Sequence, residues 1–291
     1  PTQLTHHKII GRAGWGKSVE TIRLVEEARA RGVDVTIDQY PYTASSTSLG
    51  AALVPQWALE GGRKALLERL AAEDARRRIK TEIVRRIEAE RGGGDPKNIV
   101  MASCGFDKSL AGKSLAEITA LRGRTVTLDN AAETALEIVR QGGCQAVFHA
   151  ISEDDVERIL RYPFTMVASD GGIPVFGREV PHPRSYGTFA RVLARYVRER
   201  KTITLEDAVR KMSGLPAARV RLYDRGLLRP GMKADIVGFD AARIQDKADF
   251  GNPHQYAEGV AAVLVNGRPA LLDGKMTAER PGRVLKGPGA R

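Results

Sequence analysis

The sequence contains little cysteine and no long apolar run. Its 291 residues include two cysteines, Cys104 and Cys144, which form no CxxC pair and are too few for a disulfide framework. We therefore expect both to be small, buried hydrophobic residues. No apolar run approaches the ~20 residues needed to cross a bilayer, and the first residues lack the charged, apolar and small-residue order of a signal peptide. These absences predict a cytoplasmic protein without a membrane partner.

Positive charge is in excess, with 46 Lys and Arg against 35 Asp and Glu, a formal net charge of +11. Such an excess occurs in proteins that bind nucleic acid. Here, however, the basic residues are interleaved with acidic ones in helical stretches such as 63–91 and 191–211, as on solvated helix faces. We therefore predict no nucleic-acid partner.

Short apolar, β-branched runs alternate with stretches of helical spacing. This alternation predicts an α/β fold with a largely parallel sheet, in which chemistry collects where the strands end. The predicted strands are 33–37, 99–101, 146–148 and 165–168, and the predicted helices are 19–30, 64–89, 131–141 and 154–160.

The pattern changes near residue 223. From there, short strand patterns are separated by turns rich in proline and glycine, and no long helical pattern follows. We predict two domains, 1–222 and a small β-rich domain at 223–291.

The segment Gly11–Ser18 matches the G-x-x-x-x-G-K-[ST] phosphate-loop pattern and precedes a predicted helix. The segment before it should be a buried apolar strand, yet it contains His6, His7 and Lys8 in a row. The loop also has a structural interpretation, because Ser18 can cap the helix without any ligand. A phosphate-loop nucleotide-binding protein therefore stays as one alternative.

Histidine and aspartate side chains follow several of the predicted strands. His6 and His7 end one segment, Asp170 precedes two glycines at the end of another, and His149 and His182 lie in similar positions. A lone histidine is more often a surface or core residue than a ligand. Together, imidazole and carboxylate are ligands that zinc accepts when it keeps an open position for water.

The motifs, taken in order along the chain, resemble those of the D-aminoacylase (N-acyl-D-amino-acid deacylase) family of the amidohydrolase superfamily. The resemblance implies strands six to eight of a (β/α)₈ TIM-type metal-dependent hydrolase barrel, an insertion at about 48–163, and a small β-sandwich C-terminal domain. The matching segments are Thr5–Lys8, Gly14–Thr21, Asp38–Ser46, Ala168–Gly171, Pro181–Phe189, Pro230–Asp235 and Val265–Gly267.

The resemblance also implies roles for individual residues. His6 would be a zinc ligand, and Asp170 would be both a metal ligand and the catalytic acid/base, around one or two Zn²⁺ ions. The positions that match the family's substrate pocket are Lys8, Tyr40, Ser46 and Arg184. Zinc-dependent hydrolysis of the amide bond of a small N-acyl amino acid, of D configuration in this family, would follow.

Three parts of the family pattern are absent: the His-x-His motif of strand one, the metal-binding cysteine, and the histidine of strand five. Because a few strands cannot close a barrel, we expect a processed or split enzyme, completed by a second polypeptide that carries the missing strands and zinc ligands. Two other interpretations stay open, a cyclic-amide hydrolase of the hydantoinase or dihydroorotase kind and a non-catalytic binding remnant.

Overall fold

A computed structural model describes residues 1–286, in which ten strands and eleven α-helices are found. The strands are β1 (Thr2–Leu4), β2 (Val35–Gln39), β3 (Ser45–Ser48), β4 (Ile99–Cys104), β5 (Cys144–Phe148), β6 (Thr165–Val167), β7 (Ile236–Phe239), β8 (Val260–Val265), β9 (Arg268–Leu272) and β10 (Lys275–Met276). The helices are α1 (Ser18–Ala30), α2 (Leu49–Leu53), α3 (Gln56–Leu59), α4 (Gly62–Ala71), α5 (Glu73–Arg86), α6 (Leu115–Leu121), α7 (Leu128–Gln141), α8 (Glu153–Arg161), α9 (Arg184–Arg191), α10 (Leu205–Met212) and α11 (Gly214–Arg219). Within this part of the chain, no helix is long and apolar enough to cross a membrane.

A parallel three-stranded sheet in the order β1-β2-β6 forms one layer. Helices α1 and α8 cover it through a buried cluster that includes Val25, Ile37 and Ile159. The α/β prediction is confirmed for this layer. The central strand runs two residues later than predicted, so that Asp38 lies within β2 and not after it.

Between β2 and β6 the chain builds a second unit around an antiparallel sheet in the order β3-β5-β4. The prediction of a largely parallel sheet is therefore wrong for the strands at 99–101 and 146–148. Helix α8 packs on the parallel sheet through Ile159, so the segment inserted in that layer ends before Glu153 rather than at the expected residue 163.

The predicted helix 64–89 is divided into α4, α5 and a π-helical segment, Ile87–Arg91, with extended backbone at Ala72. The apolar positions explain the break. At 3.6 residues per turn, Leu70 and Ile79 would point about 180° apart on one continuous helix. Both are buried in the same core, so the chain must break to bring them to one side.

Cys104 and Cys144 form a disulfide bond between the paired strands β4 and β5, with a Cα–Cα distance of 4.4 Å. Both residues are buried, as predicted, but the expectation of unpaired cysteines is wrong. A separation of 40 residues carries no pairing signal in the sequence. Disulfides are rare in cytosolic proteins, so this bond gives no support to the predicted cytoplasmic location.

The C-terminal region forms an antiparallel sheet in the order β10-β9-β8-β7. The β-rich character predicted from residue 223 is found. Within residues 1–286, however, this region contains a single sheet and not the two of a β-sandwich. Residues 287–291 of the predicted domain lie outside the described part of the chain.

Replacing Cys104 and Cys144 together by serine should lower the free energy of unfolding by about 2–4 kcal/mol, because the bond limits the freedom of the unfolded chain. Urea unfolding with and without dithiothreitol measures the effect. Wild-type protein should lose this stability when it is reduced, and the double variant should not respond to the reductant. An equal unfolding midpoint for oxidised and reduced wild type would show that the two thiols are not bonded.

Candidate functional site

The parallel register brings the carboxyl ends of β1, β2 and β6 to one edge of the sheet. Three segments leave the sheet at this edge. His6 and Lys8 follow β1, Tyr40 follows β2, and Asp170 follows β6. His6 and Asp170 both have left-handed backbone, with φ of 41° and 47°, which is uncommon for residues other than glycine and is often found at functional sites.

Asp38 holds the His6 loop in place. The backbone N–H of His6 donates to Asp38 Oδ1 (2.7 Å), and Gln3 Nε2 donates to Asp38 Oδ2 (2.7 Å). Lys8 Nζ donates to the carbonyl oxygen of His6 (2.6 Å) and lies 3.0 Å from its Nδ1. These contacts fix the backbone of His6 and leave its other ring nitrogen, Nε2, available for a ligand.

The ring of Tyr40 lies beneath two cations. Lys8 Nζ is 5.2 Å from the ring centroid and Arg184 Cζ is 4.6 Å from it. Tyr40 is buried, its hydroxyl has no hydrogen-bond partner among the described residues, and burial raises its pKa. The neutral phenol is therefore a donor for a ligand oxygen atom.

Asp170 and Arg184 form an ion pair, with 2.9 Å between Oδ2 and Nη1. The distance is short, but Nη1 does not reach hydrogen-bonding geometry with this carboxylate. The Asp170 side chain is 41% exposed, whereas that of Arg184 is 9% exposed. A Cβ atom at Gly171 would lie 2.8 Å from Ser185 Cα, so the backbone after Asp170 packs closely on the start of α9. This packing fixes the acid beside the arginine.

A cavity of about 350 Å³ opens beside this ion pair. Asp170 and Arg184 line it together with Ser46, Ser103 and Gln145 of the inserted unit. Three of the predicted site residues, Ser46, Asp170 and Arg184, therefore meet in one cavity. His182 and Ser185 also line the cavity.

The predicted site residues His6 and Lys8, which follow β1, lie close to Asp170 and Arg184. Burial lowers the pKa of Lys8 to about 8; the negative charge of Asp170 opposes this change, and the positive charges of Arg184 and Arg91 add to it. Lys8 therefore lies close enough to Asp170 to be influenced by it, and it also contacts His6. The structure thus brings His6 and Asp170 to one side of the molecule.

His7, His149 and His182, for which the sequence predicts no role, make contacts within the protein. His182 is buried, its Nε2 lies 3.0 Å from the carbonyl oxygen of Ala44, and its Nδ1 accepts from the backbone N–H of Arg184. Burial lowers the pKa of His182 to about 3, so it is neutral and positions Arg184. His7 contacts Thr21 Oγ1 (3.0 Å), and the ring of His149 packs on Phe250.

The glycine-rich loop is not a phosphate site. The Asp155 carboxylate accepts from the backbone N–H groups of Gly16 (2.8 Å) and Ser18 (3.2 Å) and from the Ser18 hydroxyl. A buried carboxylate of this chain thus occupies the position that an anion would take at the start of α1. The predicted Ser18 cap is also wrong, because Lys17 is the N-cap residue and makes no side-chain capping bond.

A metal centre needs more than these residues. No group of three His, Cys, Asp or Glu side chains in the described part of the chain lies close enough together to hold a metal ion. The imidazole of His6 and the carboxylate of Asp170 have the chemistry that zinc accepts, but they supply only part of a ligand set. Sequence reasoning included Asp38 in a matching segment but gave it no role, because an aspartate within a strand carries no pattern that predicts its contact with the backbone N–H of His6.

Comparison with known proteins accounts for this arrangement. Residues 165–271 match the family described as "Amidohydrolase family". Over 98% of its length the chain is 36% identical to a D-aminoacylase and 38% identical to an N-acyl-D-glutamate deacylase, both from Alcaligenes xylosoxydans xylosoxydans. It spans about half of these relatives, 48% of each.

Solved structures agree with the sequence matches. A zinc-bound N-acyl-D-glutamate deacylase from Bordetella bronchiseptica, in complex with a phosphonate inhibitor, is 34% identical with a TM-score of 0.74, over 98% of this chain and 49% of that one. A D-aminoacylase structure whose title describes a binuclear metal centre gives a TM-score of 0.72 at 34% identity, over 96% of this chain and 48% of that one. By these comparisons the chain is similar to D-aminoacylases over about half of their length, and part of it matches the amidohydrolase family.

Proposed function

We propose that this chain forms part of an enzyme that hydrolyses the amide bond of N-acyl amino acids of D configuration, releasing a carboxylate and a free amino acid. The observation that carries the proposal is the Asp170–Arg184 ion pair beside a cavity, next to the His6–Lys8 contact. The relatives are named for open-chain N-acyl amino acids, which favours this reaction over hydrolysis of cyclic amides.

His6 and Asp170 would be two of the ligands of a zinc centre holding one or two ions, with the remaining ligands supplied from outside this chain. Bound zinc lowers the pKa of a water molecule and polarises the amide carbonyl. Nε2 of His6 is the ring nitrogen free for this role, because Nδ1 faces Lys8 Nζ at 3.0 Å.

Asp170 would be the general base and then the general acid. Its carboxylate would accept the proton of the attacking water and deliver it to the nitrogen of the leaving amine. Its partial exposure and its position in the cavity wall support this role, because a water molecule can reach the carboxylate there.

Arg184, Lys8, Tyr40 and Ser46 would bind the carboxylate of the substrate. The guanidinium of Arg184 can bind both carboxylate oxygens at once. The Tyr40 hydroxyl has no hydrogen-bond partner in the described residues. The cations of Lys8 and Arg184 both lie over the Tyr40 ring, so the three side chains are neighbours. These donors would hold the substrate with its amide bond toward Asp170.

The barrel would be completed by a second polypeptide. In a closed barrel each strand pairs with two neighbours, whereas β1 and β6 each have one side unpaired in the sheet β1-β2-β6 of the described residues. Unpaired edges of this kind expose backbone N–H and C=O groups that need partners. Strands from another polypeptide would pair with these edges and bring the missing zinc ligands.

Asp170→Asn should reduce kcat roughly 10²–10⁴-fold, because the amide cannot take up the proton of the attacking water. Hydrolysis of N-acetyl-D-amino acids is measured together with the zinc content, which should change little. Asp129→Asn is the control, since it removes only a surface ion pair with Lys80 (2.7 Å) by an exposed carboxylate that does not line the cavity. Wild-type turnover in the Asp170 variant would reject the catalytic role.

Arg184→Ala should raise KM about 10- to 100-fold for substrates with a free carboxylate, the range expected when hydrogen bonds to a charged group are lost. The corresponding N-acyl amino acid amides have no carboxylate, so their KM should change little. Arg210→Ala serves as the control for loss of a surface arginine. If KM for the carboxylate substrates stays the same, Arg184 does not bind them.

Intact-mass measurement of the purified active enzyme should reveal a second polypeptide in addition to the one that carries this sequence. The expected reason is that β1 and β6 need strand partners from outside the described chain. Denaturing separation followed by recombination should restore activity. Active material that contains this 291-residue chain alone would contradict the proposal.

A further inference from the structure

Arg91 is a half-buried cation that has no ion-pair partner in the described part of the chain. It ends the π-helical segment Ile87–Arg91 of the inserted unit. Its Nε atom is buried and has no hydrogen-bond partner, and within residues 1–286 its side chain makes no ion pair. Burial lowers the pKa of Arg91. A cation withdrawn from water without a partner is destabilising, so such a residue commonly marks a place where an anion binds.

Arg91 belongs to the cluster around Tyr40. Its guanidinium carbon lies 5.9 Å from the ring centroid of Phe148, and its charge acts on the pKa of both Lys8 and Tyr40. With Lys8 and Arg184, three cations therefore share this region. Of the carboxylates nearby, Asp170 pairs with Arg184 and Asp38 is bound to His6 and Gln3. Glu90 opposes the fall in the pKa of Arg91, but its carboxylate pairs with Arg85 (2.8 Å). Positive charge is left in excess.

The glycine-rich loop explains how Arg91 reaches the site. Gly11 has a φ of +83°, and a Cβ atom there would overlap with the carbonyl oxygen of Ala89. Only glycine allows the π-helical segment to pack this closely on the loop that follows His6 and Lys8. The inserted unit therefore packs on the glycine-rich loop through the same π-helical segment that ends at Arg91.

Four buried polar atoms of this region have no hydrogen-bond partner among the described residues, although such atoms are rare in folded proteins. Ser45 is paired in register with Phe148, the residue that Arg91 faces, so the two side chains lie on the same face of the sheet. A ligand with several acceptor oxygens would satisfy such a set. The four atoms are Tyr40 Oη, Ser45 Oγ, Arg91 Nε and Arg184 Nη1.

We propose that Arg91 binds a second carboxylate on the substrate, so that the enzyme prefers N-acyl amino acids with an acidic side chain over neutral ones. This inference rests on the proposed amide hydrolysis. The substrate α-carboxylate neutralises the charge that Arg184 and Lys8 provide. A neutral substrate side chain leaves Arg91 without a counter-charge, whereas a side-chain carboxylate balances it through the planar fork of the guanidinium.

The test compares N-acetyl-D-glutamate with N-acetyl-D-glutamine, which have nearly the same shape and differ in one charge. Wild-type enzyme should favour the glutamate substrate in kcat/KM, and Arg91→Ala should raise KM for it about 10- to 100-fold. KM for the glutamine substrate should change less than threefold. Arg91→Lys keeps the charge but not the fork, and it should retain part of the preference.

Arg77→Ala is the matched control, because Arg77 lies on the preceding α5 helix, is 68% exposed and pairs with Glu73 and Asp74. It should behave as wild type. The inference would be overturned if Arg91→Ala raised KM equally for the glutamate and glutamine substrates and Arg91→Lys showed no preference between them. So would a wild-type enzyme that hydrolyses both substrates equally well.

A binding measurement separates this inference from the proposed hydrolysis. Calorimetric titration with glutarate and with butyrate compares a dicarboxylate with a monocarboxylate and requires no turnover. Glutarate should bind more tightly, and Arg91→Ala should remove the difference. If neither N-acetyl compound is hydrolysed but the glutarate preference depends on Arg91, the proposed hydrolysis fails and the anion site stands. If glutarate binds no better than butyrate, the anion site fails.

Discussion

The parallel pairing of β1, β2 and β6 is the constraint on which the site depends. Parallel strands end at the same edge of a sheet, so the residues that follow them are brought together whatever the distance between them in the chain. Asp38 ties two of these segments together, because from within β2 it binds the backbone N–H of His6. His6, Tyr40 and Asp170 can therefore act on one ligand although they belong to three separate segments.

The chemical character of the edge comes from a local surplus of buried positive charge. Lys8 and Arg184 lie over the ring of Tyr40, Arg91 lies near them, and Asp170 pairs with Arg184. Burial makes each cation less stable unless an anion is near, so the same packing that shapes the cavity favours negative charge beside these cations. His182 contributes through position alone, because both of its ring nitrogens are engaged by backbone groups.

Two contacts hold the glycine-rich loop in place. Gly11 allows the π-helical segment of the inserted unit to approach, and within the parallel-sheet layer the loop amides of Gly16 and Ser18 are bound by Asp155 from α8. These contacts explain a motif that in sequence also matches the phosphate-loop pattern. In the folded chain its N–H groups are already satisfied, so its glycines serve close packing and not ligand recognition.

The sequence by itself determined the α/β layer and the β-rich C-terminal region, because apolar periodicity is a property of neighbouring positions. Its local motifs, through their resemblance to a known family, also gave the candidate site residues His6, Lys8, Tyr40, Ser46, Asp170 and Arg184. It did not reveal the antiparallel pairing of the inserted strands, the Cys104–Cys144 bond, or the surroundings of Asp155 and Arg91. Each of these depends on contacts between residues far apart in the chain. Only the tertiary structure decides which distant groups are buried together. A buried charge needs a compensating group, and the tertiary structure determines whether the chain itself supplies that group or leaves the position to a ligand.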